Sequence, residues 1–366
     1  MEFFLILLPL VCTAYLLRML LAVYSHSVKH IGDADRTPYV SVIVPFRDEE
    51  NNLQTLLDGL TAQDYSGQFE VVLVNDRSAD GFAKIVSPFL ARHKNFRMID
   101  SGHSPSVKLT GKQQALDAGT AAAFGEWFVF TDADARPSSN WISLLMNSTD
   151  EKTGCVCGRT ELLHNQMVPF ERYQAWQLDF LFAVAFAFDK AKMRGACMGN
   201  NMAVSRAAWE KVGGMRGLGY SIVEDCDLLA RISESGFSCR QTQPFTVSVQ
   251  TLPCPDFGSF ARQALRWTKG GMRRGNPLII SIAAIGLQNF CFIAVLLGLL
   301  NGPAALVAFV NLFLMWLFVR RVFRINGSAV KSGEFPLFYL FMCVQSVFGL
   351  WQILFAGKVV WKGDTV

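Results

Sequence analysis

The chain has 366 residues, of which 51% are hydrophobic and 17% are charged, and its formal net charge is +4. This composition is too apolar for a wholly soluble protein and too charged for a simple bundle of membrane helices, so we expect a soluble domain joined to membrane segments. The small positive charge, with no basic stripe interleaved with aromatic residues, excludes a nucleic-acid-binding protein.

An apolar run at residues 3–23 is long enough to cross about 30 Å of hydrocarbon. Only Arg18 interrupts it, near its end. No basic residues precede the run and no clear cleavage site follows it, which favours a membrane anchor at residues 1–24 over a cleaved signal peptide. Basic residues after the run predict that the next segment lies in the cytoplasm.

From residue 37 to residue 276, apolar strands alternate with helical stretches. The predicted strands cover residues 40–45, 69–74, 96–99 and 127–130, and the predicted helices cover residues 51–63, 79–93 and 112–123. This alternation predicts a three-layer α/β domain with a mainly parallel sheet. The turn after the first strand is acidic and contains no glycine, so a dinucleotide-binding Rossmann site is excluded.

Two carboxylates, Asp132 and Asp134, directly follow the fourth predicted strand. Ligands of open α/β sheets bind outside the carboxyl ends of the strands, so this pair is predicted to point into a site. Hard oxygen ligands suit Mg²⁺ or Mn²⁺. An isolated D-x-D is more often an acidic turn that ends a strand and caps a helix, and the metal assignment therefore depends on the other motifs.

Residues 170–188 are rich in apolar and aromatic side chains but are interrupted by charges such as Glu171 and Asp179. The segment is too interrupted to span a bilayer. Two interpretations stay open, a helix in the membrane interface that shapes an apolar acceptor pocket and a buried core helix. The glycine-rich residues 213–219 are interpreted as a flexible loop.

Three apolar runs, at residues 278–300, 304–319 and 335–356, follow the α/β domain. The first and third are long enough to span a bilayer, and the second needs its flanks. Arginines and a lysine between the last two runs predict a cytoplasmic connection. We therefore expect a membrane region at residues 278–357, four spans in all, and an external tail at residues 358–366.

The cysteines, nine in number, lack paired C-x-x-C spacing. This pattern indicates reduced thiols and predicts neither a disulfide framework nor a zinc site.

Ten further residues of the motifs lie before and after the D-x-D along the chain. They are Pro45, Arg47, Glu49, Asp76, Lys112, Glu224, Asp225, Gln263, Arg266 and Trp267. Each has an ordinary structural explanation when taken alone, such as a helix cap or an interfacial anchor. The complete set in this order is a far rarer event.

From residue 40 to residue 267 the chain resembles membrane-anchored family 2 glycosyltransferases, which have the GT-A fold. That group includes ceramide glucosyltransferase, bacterial glycolipid and carotenoid glycosyltransferases, and cellulose and hyaluronan synthases. Residues 132–134 match its DxD motif, residues 224–225 its ED pair and residues 263–267 its QxxRW motif. The chain departs at Asn75, where many members have an aspartate, and at Val223, where synthases often have threonine.

The resemblance implies a role for each motif. The nucleoside would be bound by Asp76, Pro45, Arg47 and Glu49, and Lys112 is assigned to substrate binding. Asp134, helped by Asp132, would hold Mg²⁺ or Mn²⁺ on the diphosphate. Asp225, beside Glu224, would be the catalytic base. The diphosphate and acceptor side would be lined by Gln263, Arg266 and Trp267.

The sequence thus predicts an inverting, metal-dependent glycosyltransferase of the inner cell membrane, with a cytoplasmic catalytic domain. It would move a single sugar from a nucleotide-diphospho-sugar, with a UDP-sugar favoured, to a hydroxyl of a lipid acceptor. A single base with direct attack on the face opposite the nucleotide would invert the anomeric centre. The alternatives are a processive polysaccharide synthase and an inactive membrane scaffold or nucleotide-sugar sensor.

Overall fold

The computed structural model describes residues 36–165, 168–190, 197–242, 248–273, 302–325 and 334–355, with shorter pieces between residues 10–21, 286–298 and 360–365. These residues divide into two compact units. The sheet unit comprises the described parts of residues 28–164 and 196–253, and the helical unit comprises those of residues 1–27, 165–195 and 254–366. The stretch 37–276, predicted as one domain, is therefore shared between the two units.

The regular elements of the longer described segments are numbered here in chain order. The strands are β1 (Val40–Phe46), β2 (Phe69–Asn75), β3 (Phe96–Asp100), β4 (Trp127–Phe130), β5 (Arg136–Pro137), β6 (Thr153–Cys157), β7 (Arg159–Leu162), β8 (Met202–Ser205), β9 (Ser238–Gln241) and β10 (Ser248–Thr251). The helices are α1 (Glu50–Thr61), α2 (Ala83–Leu90), α3 (Gly111–Ala122), α4 (Trp141–Met146), α5 (Pro169–Lys190), α6 (Arg206–Val212), α7 (Gly214–Leu218), α8 (Glu224–Glu234), α9 (Phe257–Arg273), α10 (Gly302–Ile325) and α11 (Phe335–Phe355).

The sheet unit is built on a seven-stranded sheet with the order β3-β2-β1-β4-β8-β6-β9. Strands β3, β2, β1 and β4 run parallel, β8 is antiparallel to both β4 and β6, and β9 is parallel to β6. A second sheet has the order β5-β10-β7. The expected mainly parallel α/β architecture is confirmed.

Side chains of β1 alternate between two cores, one on each face of the sheet. Val42 and Val44 belong to a cluster that includes the buried leucines of α1, whereas Ile43 belongs to a cluster that includes Leu228 of α8. All seven residues of β1 are buried. Burial on both faces is typical of a parallel strand covered by helices, and it produces the predicted three layers.

The glycine-rich segment after α6 is not the flexible loop that was predicted. Gly213 adopts a left-handed conformation with φ of 78° and ends α6, and Gly214–Leu218 then forms the short helix α7. Glycine tolerates that conformation without the penalty of a β-carbon, so it can end one helix and begin the next. The prediction failed because α6 and β8, which precede the segment, were not recognised.

The helical unit has its own apolar core. Trp176, Phe180 and Phe188 of α5 are buried in one cluster with Phe318 of α10 and Phe338 of α11. The observed packing supports the buried-helix interpretation of residues 170–188. Whether this segment also shapes an acceptor pocket stays a prediction.

Among the described residues, one helix is long and apolar enough to cross a membrane, at Gly302–Arg321 within α10. A shorter apolar stretch, Phe335–Gly349, lies in α11. Most of the runs at residues 3–23 and 278–300 falls outside the described part of the chain, so the predicted four spans stay a prediction. In the tail, Val360–Trp361 (β11) pairs antiparallel with Asp364–Thr365 (β12).

Candidate active site

The loops that follow β1 and β2 are joined by reciprocal hydrogen bonds. The backbone N–H of Asp48 donates to Ser78 Oγ at 3.1 Å, and the backbone N–H of Ala79 donates to Asp48 Oδ1 at 2.7 Å. A further bond of 2.7 Å runs from the backbone N–H of Glu50 to Asp80 Oδ2. These bonds hold the two loops together at the carboxyl edge of the sheet, where a ligand of a parallel α/β sheet binds.

Three predicted nucleoside-binding residues lie in or next to the first of these loops. Pro45 is buried in β1 opposite Val74. Arg47 follows the strand, and Glu49 precedes α1, where its Oε2 accepts a 2.7 Å hydrogen bond from Asn52. Arg47 and Glu49 are partly exposed, whereas Pro45 is enclosed in the sheet.

Asp76, the fourth predicted nucleoside-binding residue, is buried at the end of β2. Its Oδ1 accepts hydrogen bonds from Ser101 Oγ at 3.2 Å and from Arg77 Nε at 3.0 Å. A β-carbon on Gly111, the first residue of α3, would lie 2.4 Å from Asp76 Oδ2. Glycine at this position therefore lets the carboxylate approach the positive N-terminal end of α3.

Lys112 connects the two acidic motifs. Its Nζ lies 2.8 Å from Asp132 Oδ1 and 3.3 Å from Glu224 Oε1. Burial alone lowers the pKa of Lys112, but Asp132, Glu224 and Asp225 together raise it above its ordinary value. The lysine is therefore a permanent cation between the DxD and the ED pair, a position that the sequence does not reveal.

The electrostatic environment of Asp134, the second acid of the DxD, disfavours its charged form. Burial raises its pKa, and the negative charges of Asp132 and Glu49 raise it further. The hydrogen bond that it accepts from Thr251 Oγ1, at 3.0 Å, and the charge of Lys112 oppose the change only in part. Clustered oxygen ligands with excess negative charge fit a hard divalent cation such as Mg²⁺ or Mn²⁺.

The ED pair occupies the first turn of α8. Asp225 Oδ2 accepts a hydrogen bond from the backbone N–H of Gly199 at 2.8 Å, and its Oδ1 accepts one from the backbone N–H of Cys226 at 2.7 Å. Glu224 is nearly buried and faces Lys112. The two backbone bonds fix the orientation of the Asp225 carboxylate, and a carboxylate held in this way can accept a proton.

Two residues that the sequence analysis missed support these carboxylates. Gln113 donates to the backbone oxygen of Gly219 at 2.8 Å and accepts from the backbone N–H of Ser221 at 3.1 Å, which links α3 to the segment before α8. It also forms a capping box with Thr110, a T-x-x-Q signal that is visible in the sequence. Thr251, the partner of Asp134, has no such signal.

The QxxRW residues lie on α9 and belong to the helical unit. Gln263 Oε1 is 3.6 Å from Cys254 Sγ, which donates the hydrogen bond. The structure thus brings together Lys112, Asp132, Asp134, Glu224 and Asp225 in the sheet unit, while the roles of Gln263, Arg266 and Trp267 stay predictions.

Comparison with known proteins assigns the family. The family model described as glycosyl transferase family 21 matches residues 3–366. The chain belongs to glycosyl transferase family 21. This assignment replaces the expected family 2, and it agrees with the broader expectation of a nucleotide-sugar glycosyltransferase.

Curated relatives of this family 21 chain are also glycosyltransferases. The chain is 26% identical to the probable glycosyltransferase YdaM of Bacillus subtilis over 237 residues, 64% of this chain and 55% of that protein. It is 31% identical to the dolichyl-phosphate beta-glucosyltransferase ALG5D of Trichomonas vaginalis over 116 residues, 30% of this chain and 34% of that protein. The chain therefore spans about half, or less, of these relatives.

A solved structure shares the fold. The mannosyltransferase PcManGT from Pyrobaculum calidifontis, in complex with GDP-Man and Mn²⁺, superposes with a TM-score of 0.61 at 18% identity. The match covers 96% of this chain and 98% of that one. At this level of identity the match establishes the α/β glycosyltransferase fold, and it agrees with the expected GT-A architecture.

Proposed function

We propose that the chain is an inverting, metal-dependent glycosyltransferase that moves one sugar from a nucleotide-diphospho-sugar to a hydroxyl of a lipid acceptor. The observation that carries the proposal is the bridge from Lys112 to Asp132 and Glu224, at 2.8 Å and 3.3 Å, which places a permanent cation between two acidic motifs. Such a site combines groups for binding a diphosphate with a carboxylate for removing a proton.

In the proposed reaction, Asp225 takes the proton of the acceptor hydroxyl as the oxygen attacks the anomeric carbon. The N–H groups of Gly199 and Cys226 hold its carboxylate in place. Lys112 stabilises negative charge beside the departing nucleotide diphosphate. Attack by one oxygen on the face opposite the leaving group, with one base, gives inversion.

Asp134 and Asp132 would hold Mg²⁺ or Mn²⁺. When bound, the ion would neutralise charge on the diphosphate. Asp76, Pro45, Arg47 and Glu49 would form the nucleoside site, and Gln263, Arg266 and Trp267 would serve the acceptor side. PcManGT binds GDP-Man with Mn²⁺, which supports a nucleotide-sugar donor and a divalent cation here.

The proposed base and the helical unit support a lipid hydroxyl as the acceptor. A hydroxyl must lose a proton during transfer, whereas a lipid phosphate, the acceptor named for ALG5D, is already ionised and needs no base. The hydrogen-bonded Asp225 therefore favours a lipid hydroxyl. The apolar helix at Gly302–Arg321 supports a membrane-bound acceptor at the cytoplasmic face.

The test uses the purified full-length chain with a panel of UDP- and GDP-sugars and with two acceptor pools, lipid alcohols and lipid phosphates. We expect metal-dependent nucleotide release and a product that carries one added sugar. Asp225→Asn should lower the rate about 10²- to 10⁴-fold. Glu234→Gln, an exposed carboxylate on the same helix, is the matched control and should behave like wild type.

Several results would change the proposal. A ladder of products would indicate the processive synthase instead. Transfer only to lipid phosphates, with Asp225→Asn fully active, would remove the assignment of the base and of the hydroxyl acceptor. Binding of the nucleotide sugar with no transfer to any acceptor would favour an inactive nucleotide-sugar sensor.

A further inference from the structure

Two cysteines lie beside the proposed catalytic base. The Sγ atoms of Cys197 and Cys226 and a carboxylate oxygen of Asp225 all lie within 4.8 Å of one another. Cys226 Sγ also donates a 3.7 Å hydrogen bond to the backbone oxygen of Cys197. All three residues are intermediate in exposure.

The donor set of this group differs from that of the DxD. Two sulfurs and one oxygen suit Zn²⁺ and other thiophilic cations, whereas Mg²⁺ prefers oxygen ligands alone. Three protein ligands leave a fourth tetrahedral position for water. The ligands come from the segment before β8 and from the first turn of α8, so no C-x-x-C spacing announces them, and the sequence prediction of no zinc site could not take them into account.

Cys157, at the end of β6, places a further sulfur next to Cys197. Hydrogen bonding with Cys157 and with Cys226, together with burial, raises the pKa of the Cys197 thiol. Cys157 Sγ is in turn 3.7 Å from Cys155 Sγ. The raised pKa favours the neutral thiol, so a cation that binds Cys197 has to displace its proton.

We infer that Cys197, Asp225 and Cys226 form an inhibitory site for Zn²⁺ or a similar thiophilic cation. Binding would release one proton from each thiol to solvent and would engage the carboxylate that otherwise accepts the acceptor's proton. The inhibitory effect rests on the proposed function, because it requires Asp225 to be the base. The binding itself does not.

Binding is tested first, without substrate, on the purified full-length chain. Titration with Cd²⁺, followed by the ultraviolet absorption of cadmium–thiolate bonds, and displacement by Zn²⁺ should reveal one thiol-dependent site. Cys197→Ser and Cys226→Ser should each weaken affinity at least about 100-fold, because loss of a residue that only supports a metal ligand already costs about 10- to 100-fold. Cys239→Ser, a thiol in the same sheet unit that donates to the Leu229 backbone oxygen, is the matched control and should bind like wild type.

Inhibition is tested second, in excess Mg²⁺, with each variant measured against its own activity without Zn²⁺. We expect Zn²⁺ to inhibit wild type and Cys239→Ser and to inhibit Cys197→Ser and Cys226→Ser about 100-fold less potently. Thermal melting of every variant establishes that it is folded, and Asp225→Asn provides an independent binding variant that keeps both thiols.

The outcomes separate the two hypotheses. If affinity for Cd²⁺ and Zn²⁺ is unchanged in both cysteine variants and in Asp225→Asn, the site does not exist, whatever the enzyme does. If binding depends on the thiols but transfer continues with the site filled, the inhibitory role is overturned and Asp225 is not the base. Zinc inhibition that persists in the cysteine variants would place the ion at the DxD and would also overturn the inference.

Discussion

Lys112 is the residue on which the electrostatics of the site depend, because one ammonium group serves several carboxylates. It contacts Asp132 and Glu224 directly, and its charge opposes part of the rise in the pKa of Asp134. Replacing it with an apolar side chain would leave these acids mutually repelling in a partly buried site. Such a group responds by taking up a proton.

We therefore predict that Lys112→Met lowers kcat about 10²- to 10³-fold, the range for loss of one preorganised electrostatic group. The acid limb of the pH–rate profile should also move to higher pH, because the carboxylates would hold protons that the lysine normally displaces. Lys112→Arg, which retains the charge, should recover the position of the acid limb. A profile unchanged in shape for Lys112→Met would contradict this reading.

Asp134 is an acid whose negative charge this environment disfavours. Its pKa is raised from 3.8, so the folded protein holds the proton more tightly than the unfolded chain does. Ionisation of Asp134 consequently destabilises the fold, and the penalty appears as pH rises through the raised pKa. Without metal, Asp134→Asn should raise the melting temperature at neutral pH, with no gain at low pH, and should lower transfer at least about 10²-fold.

Asp150 is the matched control for this measurement because its shift has the other sign. Burial opposes ionisation, but hydrogen bonds from Thr153 and Arg240 lower its pKa below 3.8. Asp150 therefore contributes stability above that value, which is lost as pH falls through the lowered pKa. Asp150→Asn should lower the melting temperature at neutral pH. Equal shifts for the two variants would exclude the electrostatic account.

At the scale of elements, the first residue of α3 lies close to Asp76, one of the residues proposed to bind the nucleoside. Gly111 begins this helix, and a β-carbon there would lie 2.4 Å from Asp76 Oδ2 and 3.1 Å from Arg77 Nη2. The carboxylate of Asp76 is itself held by Ser101 and Arg77. An added methyl group must therefore move either the carboxylate or the helix.

Gly111→Ala is expected to raise KM for the nucleotide sugar about tenfold, with a smaller effect on kcat, because it displaces a donor-binding group. In an unhindered helix the same exchange stabilises by about 0.5–1 kcal/mol. Gly349→Ala in α11, where the β-carbon would meet nothing within 4 Å, supplies that comparison and should leave KM unchanged. The measurement is KM for the nucleotide sugar in both variants. An unchanged KM for Gly111→Ala would contradict the steric argument.

The first half of the fold is the part that sequence periodicity predicts. Strands β1 to β4 and helices α1 and α3 lie within a few residues of their predicted bounds, because continuous apolar strands alternate with leucine- or alanine-rich helices. The later strands are short and mixed in polarity, as in Arg159–Leu162 and Ser238–Gln241. Their positions are fixed by pairing with distant strands, which a local pattern does not contain.

The same distinction applies to the site. The acids were found because each follows a predicted strand or belongs to a recognisable motif. The lysine bridge, the link from Gln113 to Ser221 and the proximity of Cys197 to Cys226 join residues about 20 to 110 positions apart. Such contacts depend on how helices pack on the sheet, and no residue spacing encodes them.

For the whole molecule, α10 is the helix whose surface and composition suit a membrane span. Large apolar side chains on the surface of α10, including Leu306, Phe309 and Phe313, are at least half exposed, which is typical of a helix in contact with lipid. Near the end of this apolar stretch, the guanidinium of Arg320 lies 5.1 Å from the ring centre of Trp316. Tryptophan and arginine together are typical of a membrane–water interface.

The arginines at this end of α10, Arg320, Arg321 and Arg324, predict that it lies in the cytoplasm. A fluorescent protein fused after residue 327 should then fluoresce, and alkaline phosphatase at the same position should be inactive. Fusions after residue 301, at the other end of the span, should give the reverse result. Replacing the three arginines with glutamine should reduce the difference between the two positions, because the positive-inside signal is weakened.

Identical reporter behaviour at both positions would show that α10 does not cross the membrane. Reversed behaviour would put the connection between α10 and α11 outside the cell. With the two predicted spans, at residues 278–300 and 304–319, between the sheet unit and that connection, an external connection would predict an external sheet unit, which is incompatible with a nucleotide-sugar donor supplied from the cytoplasm. The orientation of one helix is therefore a test of where the DxD and its lysine can meet their substrate.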